Sequence, residues 1–170
     1  KKASGRAHKG FNIGCIYTGR GTDMTKDILI SIKGLHALGE EEPDTVELII
    51  PGSYYKKGDR HFIKYDEVTE GMEGTTSNLI KLHQNSMEVT KKGLTNTHMV
   101  FEEQKKNMTY YSTPYGTIEM GIAATNLFLE EKDGGLNMKV DYALDMNQEH
   151  VADCCLAIQA QPKDCKKFTL

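Results

Sequence analysis

MTYYSTPYGTIEMGIA, residues Met108 to Ala123, reads as a strand, a corner and a second strand. Pro114 removes a backbone donor and Gly116 accepts positive φ, so ladder pairing must stop between them. Beyond the corner Ile118, Met120 and Ile122 alternate with Thr117, Glu119 and Gly121, the pattern of a half-buried strand. Tyr110, Tyr111 and Tyr115 gather about the turn. The same period of two recurs through most of the chain, and it decides the fold class.

Toward the C-terminus, Leu127 and Leu129 either continue that strand or begin another. Asp133-Gly134-Gly135 is a hairpin turn, and Leu136, Met138, Val140, Tyr142 and Leu144 alternate after it. Asn147-Gln148 turns into a last strand, Glu149 to Gln159. Toward the N-terminus, strands are predicted at Thr97–Glu103, Met87–Lys91, Thr75–Leu82 and Arg60–Val68. Lys57-Gly58-Asp59 makes a hairpin with a strand carrying Val46, Leu48 and Ile50, in which Pro51-Gly52 places a bulge or bend. The first strand holds Ile28, Ile30 and Ile32 and ends near Gly34, with Leu35 to Asp44 as a loop.

No stretch carries a 3.6-residue period over three turns. Nine or ten short-linked strands make an antiparallel meander, and a single sheet that long curls. Closing it removes the exposed edges. An all-β up-and-down barrel is therefore the predicted fold, with a two-sheet sandwich as the competitor.

Length and composition agree with one soluble domain: 170 residues, 26% charged and 38% apolar. The net charge of −3 argues against a nucleic-acid partner. No run reaches the roughly 18 apolar residues of a membrane span, and no secretory signal is recognised, which together place the chain in the cytoplasm. Residues 1–23 hold five basic residues, five glycines and one acid, so the remainder carries a net −7. That shift marks a boundary at Met24. Gly19-Arg20-Gly21 can be encoded by a purine-rich ribosome-binding sequence just before the ATG of Met24, so 1–23 is read as translated upstream sequence. A flexible arm or an expression scar are the alternatives. The barrel domain is then 24–161, with 162–170 a C-terminal tail. Cys15, Cys154, Cys155 and Cys165 show no metal or redox spacing, and Cys154 and Cys155 should point to opposite faces of a strand.

The residues that break the aliphatic pattern are the candidates for a site. His98 shares a face with Val100 and Glu102, and Arg60, Tyr65, Glu73, Thr75, Tyr110, Tyr115 and Tyr142 join it as a polar set. A tyrosine suits a ligand pocket and a packed corner equally, since its hydroxyl needs a partner when buried. Glu70-Gly-Met-Glu-Gly74 is either a backbone nest for an anion or, as the missing Gly-Lys-Ser/Thr ending suggests, a bend between strands. The histidines form no HxH or HxxxH pair, and no nucleophile elbow is present, so neither metal nor cofactor nor catalysis is expected.

Taken together, YYKKGDRHFIKYDE, EGMEGT, YYSTPYGTIEMGI and DYALDMN resemble, in that order, the DUF1934 or YwiB-like family of uncharacterised bacterial proteins. The resemblance runs from about Ile28 to Gln159. It implies a small barrel of the calycin, lipocalin-like kind and carries no activity with it. The chain has no tryptophan and so lacks the Gly-x-Trp corner of lipocalins, and their function is not inherited from shape. Two expectations follow from different classes. One is a cytoplasmic, non-enzymatic barrel that binds a small apolar or amphipathic molecule within its interior or mouth. The other is a solid barrel acting as an interaction module, including as a homodimer; neither involves nucleic acid or membrane.

Overall fold

The computed structural model describes residues 26–37 and 44–163. The predicted extension 1–23 and residues 164–170 of the tail lie outside the described residues. Ten strands follow one another: β1 (Lys26–Ala37), β2 (Asp44–Lys57), β3 (Arg60–Val68), β4 (Thr75–His83) and β5 (Ser86–Gly93), then β6 (Thr97–Glu102), β7 (Lys105–Thr113), β8 (Gly116–Lys132), β9 (Gly135–Met146) and β10 (Glu149–Pro162). No helix is present among the described residues.

Every ladder is antiparallel, in the order β6-β5-β4-β3-β2-β1-β10-β9-β8-β7. The first and last strands pair directly, Ile28 opposite Pro162 through to Ala37 opposite Asp153. The two ends of the order, β6 and β7, then meet. Asn96 and Ser112 exchange both backbone hydrogen bonds at 2.9 Å, and the Gln104 N–H donates to the Ala124 carbonyl at 2.9 Å. Between those points side chains bridge the seam: the Thr97 hydroxyl donates to the Tyr110 carbonyl at 2.9 Å and the Asn107 amide to the Val100 carbonyl at 3.2 Å. The wall is a nearly closed barrel, and the sandwich alternative falls away.

Alternation builds the interior. Ile30, Ile63, Ile80, Leu82, Met87, Phe101, Ile122, Met138 and Val140 are almost wholly buried, each at an inward position of its strand. One boundary departs from prediction, and one alternative left open is decided. β1 runs past Gly34 to Ala37 because Leu35 has partners on both sides, Thr45 and Cys155. Leu127 and Leu129 continue β8, which carries a register shift between Ala124 and Asn126 and so keeps both leucines facing inward. Cys154 is buried and Cys155 half-buried, on opposite faces as adjacent strand residues must be.

β2 bends away from β3 in the middle of its length. Among the described residues it pairs with β3 only from Ser53 to Lys57, although β3 continues to Val68. Pro51 cannot donate to a ladder. Gly52 is required by contact: a Cβ there would lie 2.5 Å from the Lys64 carbonyl oxygen and 2.6 Å from Ile30 Cδ1.

Candidate functional site

Four inward residues line up across the wall in direct register: Tyr65 on β3 faces Asn78 on β4, which faces Lys91 on β5, which faces Thr97 on β6. The next inward row toward the β2–β3 turn is apolar throughout, Ile63, Ile80, Val89 and Met99. The row on the other side brings Glu67 opposite Thr76 and Thr76 opposite Gly93. A polar belt therefore sits directly on an aliphatic layer.

Glu67 is the electrostatic centre of that belt. Its carboxylate accepts from the Lys91 ammonium at 3.0 and 3.2 Å. The two side chains are only 29% and 15% exposed, so this pair is held more strongly than one in open water. Burial, then the Glu67 charge and a hydrogen bond to it, push the Tyr65 phenol far above its ordinary range. Tyr111 on β7 is raised for the same leading reasons, burial and Glu67, with a bond to Thr95 opposing. Both phenols are donors, not anions, at neutral pH.

Asn78 is the least satisfied member. Its residue is 3% exposed; its Nδ2 donates to the Thr76 carbonyl at 3.1 Å, while its Oδ1 has no hydrogen-bond partner. A buried carbonyl oxygen left so costs about 1–3 kcal/mol.

Where β2 leaves β3 lies an open groove of about 780 Å³. Pro51, Gly52 and Ser53 line one side, and Lys64, Asp66 and Ser77 line the other, with the Ser77 hydroxyl donating to Asp66 at 2.7 Å. Tyr65 and Asn78 belong to the lining as well. The groove and the polar belt thus share two residues.

Of the residues singled out from sequence, Tyr65 and Tyr142 lie in the interior. Tyr142 meets Phe101 edge-on with ring centroids 5.0 Å apart, and burial followed by Cys154 raises its phenol far above the ordinary range. The others are outside. His98 is 53% exposed on the outer face of β6, where Nδ1 bonds the Thr90 hydroxyl at 2.9 Å and Nε2 lies 3.6 Å from Glu88. The expectation that it faces the lumen is corrected by register: Thr97, opposite Lys91, takes the inward position, and Phe101 shares it. Arg60, Glu73 and Thr75 are exposed at a strand start, in a loop and at a strand start. Tyr110 is 64% exposed, because Tyr111 takes the inward parity on β7, and Tyr115 is 87% exposed in the turn between β7 and β8. The Glu70–Gly74 segment is a bend, with Gly71 and Gly74 both at positive φ.

Glu67, Asn78, Lys91 and Tyr111 were missed. Three of them do carry a signal, for each continues an aliphatic inward series at a two-residue step: Ile63–Tyr65–Glu67, Leu82–Ile80–Asn78 and Met87–Val89–Lys91. Among the described residues no cluster of three or more His, Cys, Asp or Glu side chains is placed to hold a metal ion.

The YwiB protein of Bacillus subtilis, known from its crystal structure, superposes on this barrel with a TM-score of 0.70 at 15% identity, covering 81% of this chain and 92% of that one. At that identity the likeness is one of fold. No curated protein matches the chain. The model of the family described as a domain of unknown function, DUF1934, matches residues 30–158, and the chain belongs to that family.

Proposed function

We propose that the barrel binds a small amphipathic molecule, with its polar end at Tyr65, Asn78 and the Glu67–Lys91 pair. Its apolar part lies toward the Ile63–Ile80–Val89–Met99 layer, and the groove where β2 leaves β3 is the way in. The observation that carries this reading is the Asn78 carbonyl oxygen, a buried acceptor without a partner beside the Glu67–Lys91 pair. A ligand N–H or O–H supplies the missing donor. A groove of about 780 Å³ falls within the usual size range of small-molecule sites. No chemistry is assigned to the site: the role is binding, in the cytoplasm.

The test is native mass spectrometry of protein purified from its own host, wild type beside Asn78→Leu. A sub-kilodalton adduct on the wild type, absent from the variant, is the expected result. Wild type that emerges bare, and whose melting temperature no amphipathic acid, amine or alcohol in a screen can raise, overturns the proposal.

A second reading, self-association through the outer face of β7, draws on the exposure of Met108 (51%), Tyr110 and the corner residue Tyr115. It predicts a dimer mass in solution that Tyr110→Glu reduces to a monomer.

A further inference from the structure

β2 has a long edge that no strand covers among the described residues. It pairs with β1 from Asp44 to Tyr54 but with β3 only from Ser53 to Lys57, so residues 45–52 have a ladder on one side alone. β3 pairs with β4 as far as Val68 and is bare on its β2 side from residue 65 onward. The hairpin fixes where the bare backbone groups point. Lys57 and Arg60 flank its turn and face each other, and in an antiparallel ladder every second pair exchanges both hydrogen bonds. Tyr55 with Phe62 and Ser53 with Lys64 continue that series. Beyond them Pro51, Ile49, Glu47 and Thr45 on β2, and Asp66 and Val68 on β3, turn their backbone groups into the gap, where only Pro51 lacks an N–H.

Nothing blunts this edge. The stretch TVELII, residues 45–50, contains no lysine, no proline and no register shift, the devices that usually protect an exposed strand. Val46 and Ile49, and Val68 across the gap, are each more than half exposed. A strand laid in the gap would turn one face toward Val46, Leu48 and Ile50 and the other toward Glu47, Ile49, Asp66 and Val68. The charged residues on the two bare stretches, Glu47, Asp66 and Glu67, are all acidic. Lys33 lies 3.5 Å from Glu47 and Lys91 holds Glu67 at 3.0 Å, while Asp66 accepts from the Ser77 hydroxyl; Lys64 sits at the closed end of the gap. We propose that this edge takes up an extended segment of another polypeptide as an added strand, antiparallel to β2, with apolar side chains turned inward and basic ones outward. Backbone pairing supplies the affinity and the alternation supplies the selection. The inference does not rest on the ligand reading.

The probe is a blocked octapeptide of alternating valine and lysine, its affinity read by fluorescence anisotropy and its place by amide exchange in the full chain. Amides of Glu47 and Ile49, bare in the free protein, should become protected as it binds. In an antiparallel pair the residues that share a face with Glu47 and Ile49 turn their backbone groups to β2, so N-methylation of the lysines should abolish binding. A valine–glutamate peptide should bind more weakly than the lysine one. Ile49→Pro removes one N–H from the bare edge and none from the β1 ladder, and should weaken binding about tenfold while the melting temperature stays close to wild type. If that variant does not fold, Glu47→Lys takes its place and should reverse the preference between the two peptides. No binding at millimolar peptide, binding that survives N-methylation or both substitutions, or a wild-type preference for the glutamate peptide overturns the proposal. So does slow exchange at Glu47 and Ile49 in the protein alone, which would mean that a second copy or the chain's own terminus already holds the edge.

Discussion

Replacing Asn78 by leucine should make the ligand-free protein more stable, although it removes a hydrogen bond. Leucine keeps the branch at Cγ and discards the amide. What is removed is a buried Oδ1 with no partner, a liability of about 1–3 kcal/mol. What is lost is the bond from Nδ2 to the Thr76 carbonyl, worth about 0.5–1.5 kcal/mol net, and Thr76 stays paired with Glu67 and Gly93 across the ladders. Two buried methyls contribute about 1.5 kcal/mol, and their extra bulk beside Tyr65 and Lys91 costs about 1 kcal/mol. The balance is a gain of about 1–2 kcal/mol, or roughly 3–6 °C in melting temperature for a chain of this size. Urea unfolding of delipidated, dialysed protein, followed by far-ultraviolet circular dichroism, reads it directly. A loss of more than about 1 kcal/mol would refute the reasoning, since it would mean that the amide oxygen is already satisfied without a ligand, as by a buried water.

Three further outcomes follow from the same structure. Gly93→Ala should destabilise by about 3 kcal/mol or more, because φ is +141° and the added Cβ would lie 2.1 Å from the Thr75 carbonyl oxygen; the shift in urea midpoint measures it. In an alkaline titration followed by tyrosinate absorbance, Tyr65 and Tyr142 should ionise only as the protein unfolds. Their native phenols are raised above the ordinary 10.0, so the stability they contribute is complete below pH 10 and declines as the pH climbs past it. Iodoacetamide followed by peptide mapping should find Cys155 alkylated before Cys154 and both slower than the denatured thiols, since burial raises each thiol and Cys154 is the more enclosed.

The wall of this barrel was legible because a two-residue period survives in nearly every strand, and because Asp133-Gly134 and Lys57-Gly58-Asp59 mark their turns in sequence. Which residues meet across strands was not legible, because that depends on register. Thr97 and His98 illustrate the difference. Sequence places them on opposite faces, but only the pairing of Thr97 with Lys91, and of Lys91 with Asn78, says which face looks into the lumen. An apolar neighbour is a poor guide there: Val100 beside His98 is half-buried on the outer wall. Nor does a single sequence show that β2 abandons β3 at Gly52, since the glycine is demanded by Lys64 and Ile30, residues that lie elsewhere in the chain.

The proposal that the polar belt receives a ligand rests on where the belt departs from what stability alone favours. In the adjoining row the same strands place Ile63, Ile80, Val89 and Met99 inward, the first three with almost no exposure. One step higher, at Tyr65, Asn78 and Lys91, aliphatic side chains would fit the same alternation without desolvating a carboxylate, an ammonium and an amide. Glu67 and Lys91 offset part of that cost by pairing, and Tyr65 by bonding to Glu67. Asn78 does not, for its oxygen has no donor. Departures from local stability concentrate where a protein meets something else, and this one adjoins a groove large enough to admit a small molecule. A ligand that donates to Asn78 completes the belt's hydrogen bonding, which is why the variant expected to gain stability is also the one expected to lose its adduct.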